Sequence, residues 1–426
     1  MLCLPIVSCG ENKQTNNSLT VSAYLPSPVF DIAVSRFRQL YPNVDLKVEQ
    51  VNYEDIEEIT QEDYYKKLST DLMSGAGPDL FWVDFIEMDI YKLMRSGVFA
   101  DMGPFFENDS DWSWADYNQK CIEAVKYKGK QYVVPLHYTC RLFLTDREML
   151  AESGFQIERC TNFWSFIDEV KLYEDRREKN NDPLLFRLPF LLNDVIFDSG
   201  IDWIDYQDKT VNLDTPEIKQ LVDFYKDYIS PYWGMQNPTA YGADGAAAIL
   251  KKEAVFEDHC YYAYSPYLTN CRAIGENDAV SLPLRDINGK VSGRITKGVG
   301  VQNNSKNLEN AYHFMKLLLS SENQTAEALD YTNEIPVSNS AARAGILRFD
   351  KAIDVDMGSI KRLDQLSKNF ADEYMEQLNE IDYFTMQNYQ PFLIFLNNIK
   401  PYIRGEKDYQ ECMKQAEYQL KIYLSE

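Results

Sequence analysis

Hydrophobic positions along the chain switch repeatedly between a strand-like run and a helical period. Thr20-Val21-Ser22-Ala23-Tyr24-Leu25 reads as a strand, and Phe30, Val34, Phe37 and Leu40/Tyr41 then recur at helical spacing until Pro42. Val44, Leu46 and Val48 alternate as a second strand, an amphipathic stretch from Tyr64 to Met73 follows, and Asp79 to Asp84 is a third, buried strand. Helices are predicted over Ile86 to Ser96, closed by Gly97, and near Tyr117 to Tyr127, before a strand at Gln131 to Pro135. Farther on, Asp214-Thr215-Pro216-Glu217 opens a helix with a capping side chain, a first-turn proline and an acid at the positive dipole end. Asn304-Ser305 opens another, carrying Leu308, Ala311/Tyr312, Met315 and Leu318/Leu319. Alternating β and α units predict open, mostly parallel sheets covered on both sides, with ligands taken at the carboxyl ends of the strands.

Length divides this pattern in two, because single cores stop growing near roughly 250–300 residues, and the chain has 426. No Pro/Ser-rich linker separates the halves, so two lobes joined by crossing strands are expected. With 66 acidic and 43 basic residues the formal charge is -23, spread along the chain. That excludes nucleic acid as a partner, which needs a basic face to displace counterions. No apolar run approaches the ~18–20 residues of a spanning helix. The eight cysteines include no CxxC pair and have no histidine at ligand spacing, so neither a zinc site nor any other cofactor is expected. The chain lacks the Gly-x-Ser-x-Gly, Walker, HExxH and GxGxxG signatures, and His137, His259 and His313 are its only imidazoles, which leaves little for general-base catalysis.

Several ordered segments resemble the extracellular solute-binding proteins of carbohydrate ABC importers, the maltose-binding-protein-like family 1. They are Leu72-Met73-Ser74-Gly75-Ala76-Gly77-Pro78-Asp79-Leu80-Phe81-Trp82, the helix and step from Tyr91 to Met102, and the hairpin from Lys128 to Pro135. The series continues with Ala246 to Phe256, Asn304 to Tyr312 and Ile335-Pro336-Val337. The resemblance implies an α/β, two-lobed periplasmic-binding-protein-like fold of type II, each lobe a mostly parallel sheet with flanking helices. Residues 19–137 and 298–345 would form one lobe and 138–297 and 346–426 the other, with a return crossover near Thr296 to Val301 whose glycines fit a close backbone approach. Ile6-Val7-Ser8-Cys9 resembles a bacterial lipobox, so residues 1–18 are read as leader and polar tether and Cys9 as the lipid anchor at the outer face of a bacterial membrane.

What the family implies for function is capture of a sugar or oligosaccharide in the interlobe cleft and delivery to ABC permease subunits, by a monomer that touches the membrane only through its anchor. Trp82 and Asp84 end the third strand, where the family places an aromatic platform and a carboxylate that accepts sugar hydroxyls. In the second lobe Tyr261 or Tyr262 would stack on the opposite side, with His259 beside them. Tyr24, His137, Tyr138, Trp233 and Tyr389 or Phe392 are further candidates. Each has an ordinary structural alternative: a core indole, a helix-capping carboxylate, a satisfied histidine. A ligand sensor or a binder of a non-sugar solute would share the fold, and a carbohydrate-active enzyme is the more distant alternative.

Overall fold

The computed structural model describes residues 17–26, 28–52, 54–178, 181–187, 190–206, 208–232, 245–259, 264–330, 334–349, 365–386 and 389–425. The chain opens as β1 (Ser18–Tyr24), helix α1 (Pro28–Leu40), β2 (Asp45–Val51), α2 (Gln61–Ser74) and β3 (Leu80–Asp84). Each boundary has a local cause. Thr60 caps α2 by accepting from the Asp63 amide, and Gly75 ends it at φ 78°, a left-handed conformation that glycine adopts without strain. Buried Phe30 and Phe37 of α1 pack on Phe314 of the helix Leu308–Leu319, with ring centroids 6.0 and 5.4 Å apart.

The remaining strands are β4 (Val133–Cys140), β5 (Leu142–Asp146), β6 (Leu184–Phe186), β7 (Ile204–Asp205), β8 (Thr210–Val211), β9 (Ala254–Asp258), β10 (Ala279–Pro283), β11 (Ser292–Val301), β12 (Ile335–Pro336) and β13 (Tyr383–Met386). A seven-stranded sheet runs β12-β4-β11-β3-β1-β2, with β13 also on β11, and a four-stranded sheet runs β10-β5-β9-β6. Apart from the antiparallel pair β7-β8, the described strands therefore form two sheets, and the chain passes between them at Arg141, from β4 to β5, and again between β10 and β11.

The sheets are mixed, which corrects the expectation of mostly parallel ones. β1 is parallel to β2 and β3, but β11 is antiparallel to β3 and β4, and β5 is antiparallel to β9 and β10. β11 returns from the second sheet and enters the first from its opposite end, so it lies against the direction of β3. β13, from the segment assigned to the second lobe, pairs in parallel with the first half of β11, Ser292↔Tyr383 to Ile295↔Met386. The close approach read from the crossover glycines is real at Gly300, where a Cβ would meet the Phe99 ring at 2.5 Å.

The helix expected over Ile86 to Ser96 is shorter, Ile90–Arg95, called α3 here, and is capped by Asp89. The one near Tyr117 to Tyr127 spans only Gln119–Ala124. The helix at Thr215-Pro216 forms as expected, with the Thr215 hydroxyl accepting from the Ile218 amide at 3.2 Å. Cys121, Cys140, Cys160, Cys271 and Cys412 are buried free thiols. Burial pushes Cys140, Cys160 and Cys271 up to about 12, so they stay protonated. Among the described residues no helix is long and apolar enough to cross a membrane.

Candidate functional site

Three neighbouring strands set the centre of the site. In register, Asp84 of β3 lies opposite Lys297 of β11, and Lys297 lies opposite His137 of β4. The Asp84 side chain is 1% exposed and ion-paired with Lys297, whose side chain is 33% exposed. Asp84 also accepts from the Ile86 and Glu87 amides at 2.8 and 3.2 Å and from the Gln61 side chain at 3.2 Å. Burial works against the charge of Lys297, but Asp84 and Glu334 outweigh it and hold the ammonium pKa above its ordinary value. Glu334 and Glu87 are both shifted upward, first by burial; Lys297 opposes the shift in each, and Asp84 and Glu62 add to it at Glu87.

His137 is 8% exposed, with Nδ1 3.8 Å from a Glu334 oxygen and Nε2 without a partner. Burial, helped by Lys297, draws its pKa down to about 4, so the ring is neutral at pH 7 and its contact with Glu334 is not an ion pair.

A second charged network stands where the chain passes between the sheets. Arg141, between β4 and β5, holds Asp194 at 2.7 Å, Asp198 at 2.5 Å and also Asp258 at the end of β9. Arg294 of β11 reaches the same Asp194 at 3.4 Å and Asp198 as well. Asp194 and Asp198 are four residues apart on the helix Leu192–Asp198 and so share one face. Asp258 is driven up to about 7 by burial, with Arg141 opposing and Asp194 and Asp198 reinforcing. Its Oδ1 has no partner. Nearby, Arg187 after β6 forks onto Glu257, one bond being 2.6 Å.

Tyr389 joins the two clusters. Burial raises its hydroxyl pKa, and the charges of Asp194 and Glu87 both add to the rise, which places the ring within electrostatic reach of each. It packs on buried Phe392 at 5.5 Å.

The other expected residues divide by environment. Trp82 is half-buried on β3, with its indole edge-on to Phe30 at 5.1 Å and 84°. Tyr24 is buried among Tyr64 and Tyr65, and its hydroxyl donates to the Ile59 carbonyl at 3.3 Å. Tyr138 and His259 are core side chains: Tyr138 meets Phe384 edge-on at 5.0 Å, and His259 Nε2 lies 3.2 Å from the Asn270 amide with Tyr267 edge-on at 5.5 Å. Cys9, Trp233, Tyr261 and Tyr262 lie outside the described residues.

Lys297, Glu87, Glu334 and the two arginines escaped the sequence reading. Lys297 carried a signal, since a lysine inside an apolar glycine-rich strand is rarely buried without an acidic partner. A cavity of about 510 Å³ lies elsewhere, with walls that include Tyr91, Phe197, Trp203, Tyr206 and Tyr383, and none of the expected site residues lines it.

The model of the family described as bacterial extracellular solute-binding protein matches residues 22–325. Among solved structures, the sugar-binding protein MalE of the phytopathogen Xanthomonas citri is similar at 14% identity, covering 96% of this chain and 97% of its own, with a TM-score of 0.64. The ABC substrate-binding protein Lmo0181 of Listeria monocytogenes, in complex with cycloalternan, matches at 14% identity over 96% and 99%, TM-score 0.61. A solute-binding protein of Thermotoga lettingae bound with α-D-tagatose matches at 15% identity over 96% and 99%, TM-score 0.60. At these identities the likeness is one of fold. No curated protein matches in sequence.

Proposed function

Because the chain belongs to the bacterial extracellular solute-binding proteins, we propose that this extracytoplasmic protein captures a sugar or oligosaccharide between its two lobes and passes it to ABC permease subunits. The observation that supports this reading most is that β3 carries Trp82 at its middle and Asp84 at its carboxyl end, both paired with β11. An indole face suits the C–H face of a pyranose, and carboxylates and a lysine suit its hydroxyls. The family is one of binding proteins, and turnover of the sugar is not expected. Tyr261 or Tyr262 completes the opposite wall in this reading, the protein works as a monomer, and Cys9 carries the lipid anchor, which mass spectrometry of protein from its native host would reveal as a diacylglycerol adduct.

Calorimetric titration against mono-, di- and trisaccharides, paired with small-angle scattering, tests the proposal. The expected result is saturable binding by at least one saccharide, compaction of the protein, and recovery of the sugar intact. Binding of none, or release of hydrolysed product, would overturn it.

A further inference from the structure

The cavity of about 510 Å³ that no expected site residue lines falls within the size range of small-molecule sites, about 300–1,000 Å³. One of its walls is β13. Successive residues of a strand send their side chains to opposite faces, so a hollow on one face would meet Tyr383 and Thr385, or else Phe384 and Met386. All four line this cavity, which therefore abuts the edge of the strand. β13 pairs with β11 on one side and, among the described residues, with no strand on the other. Backbone N–H and C=O groups on that free edge face the cavity without a ladder partner, and fixed polar groups of this kind orient a ligand.

The other walls are rings held in place by their own packing. Trp203 is buried against Phe395, with ring centroids 5.8 Å apart. Tyr91 of α3 and Tyr206, just after β7, stack on each other at 4.6 Å and 8°. Of the charged residues in the lining, Asp286 is already engaged: it accepts from the Tyr383 hydroxyl at 3.0 Å and from the Asn288 and Lys290 amides at 2.8 and 2.9 Å. Asp202 and Lys290 are exposed and opposite in sign, so the cavity asks for no net charge in what fills it.

We propose that this cavity is a second binding site, separate from Trp82 and Asp84, for an uncharged, hydroxyl-bearing ring compound such as a mono- or disaccharide. Hydroxyls both donate and accept, which matches a strand edge that offers both kinds of group. The C–H faces of such a ring match the flat faces of Trp203 and Tyr206. A charged ligand gains from one of Asp202 and Lys290 what it loses to the other. An extended peptide also pairs with a free edge, but four residues make a short ladder, and a hollow walled by rings gives more contact to a compact ligand. The inference stands on the cavity itself and not on the reading of the Trp82 site.

The test labels the full chain with 5-fluorotryptophan and follows its six tryptophan signals by fluorine NMR, assigned by replacing each tryptophan with phenylalanine in turn. Glucose, maltose, glucuronate and tetra-alanine are titrated separately. The Trp203 signal is expected to shift saturably with glucose or maltose, to respond to neither glucuronate nor the peptide, and to keep its response in Trp82→Ala. Tyr206→Ala, which removes one ring of the wall, should weaken that response about tenfold and leave any shift of the Trp82 signal as it was. A Trp203 signal that neither sugar moves, or that moves only together with Trp82 and is lost in Trp82→Ala, overturns the inference. An equal response to glucuronate overturns it too, and a response to the peptide without one to the sugars assigns the edge to strand addition instead. The reading of the Trp82 site is judged separately, on the Trp82 signal.

Discussion

Replacing Lys297 with methionine leaves a buried carboxylate without its cation. Asp84 is 1% exposed and cannot turn to water. Removing one partner of a buried ion pair costs about 3–5 kcal/mol when nothing compensates. Here two things compensate. Asp84 keeps the Ile86 and Glu87 amides at 2.8 and 3.2 Å and the Gln61 side chain at 3.2 Å, and a hydrogen bond to a charged group contributes about 1.5–3 kcal/mol. The cost of holding the ammonium itself away from water also disappears. Against this, Glu87 and Glu334 lose the cation that lowers both of their pKa values. The expected loss is about 2–3 kcal/mol at pH 7. Asp84→Asn is expected to cost less, about 1 kcal/mol, because Lys297 is 33% exposed and still has Glu334 nearby. Urea unfolding followed by circular dichroism measures both, provided the slopes agree. The Lys297→Met deficit should shrink as pH falls, since Glu87 and Glu334, already raised by burial, lose the cation that opposes the rise and are relieved by protonation. A Lys297→Met protein within about 0.5 kcal/mol of the parent, or one more stable than Asp84→Asn, would refute the reasoning.

Trp82→Ala removes an indole that is half-buried against Phe30, so it should cost about 2 kcal/mol, short of the ~3–5 of a core tryptophan, and weaken saccharide binding about tenfold. Normal affinity in the folded fraction would make Trp82 purely structural. Asp258 has a folded pKa of about 7 against an ordinary 3.8, so the unfolded chain gives up its proton first as pH rises between those values and stability falls across that window. Asp258→Asn should flatten the fall in melting temperature from pH 4 to 7 relative to the parent, and parallel curves would count against the shift. His137, lowered to about 4 from 6.5, acts with the opposite sign, losing stability as pH falls from 6.5 to 4, so the informative quantity is the difference between variant and parent.

What the sequence disclosed and what it hid follow from the range of the interactions. Helix α1, α2 with its Gly75 stop and the alternating β2 are encoded within a few residues, and all were legible. The shortening at Ile86 was not, because Asp84 takes the Ile86 and Glu87 amides for itself and turns the chain before Asp89 can cap α3. The charged site was hidden for a stronger reason. Lys297 meets Asp84 across 213 residues, Arg141 meets Asp258 across 117 and Arg294 meets Asp198 across 96. No periodicity in a single sequence says which of 43 cations finds which of 66 acids.

The same long-range pairs also constrain how the lobes can move. Arg141 lies where the chain leaves the first sheet and Arg294 near the start of β11, where it has just returned, and both grip Asp194 and Asp198 on one helix face. Two segments tied to one rigid helix cannot bend independently there without leaving buried charges unpaired. The β4–β11 ladder is regular from Gly293↔Cys140 to Ile295↔Tyr138, then shifts register between Ile295 and Lys297 and again between Lys297 and Gly298. Irregular pairing bends more readily than a continuous ladder, so a change in the angle between the lobes falls most easily at Thr296 and Lys297. That bend carries the cation of the Asp84 pair, so any change in the charge around Lys297 would act on the joint itself.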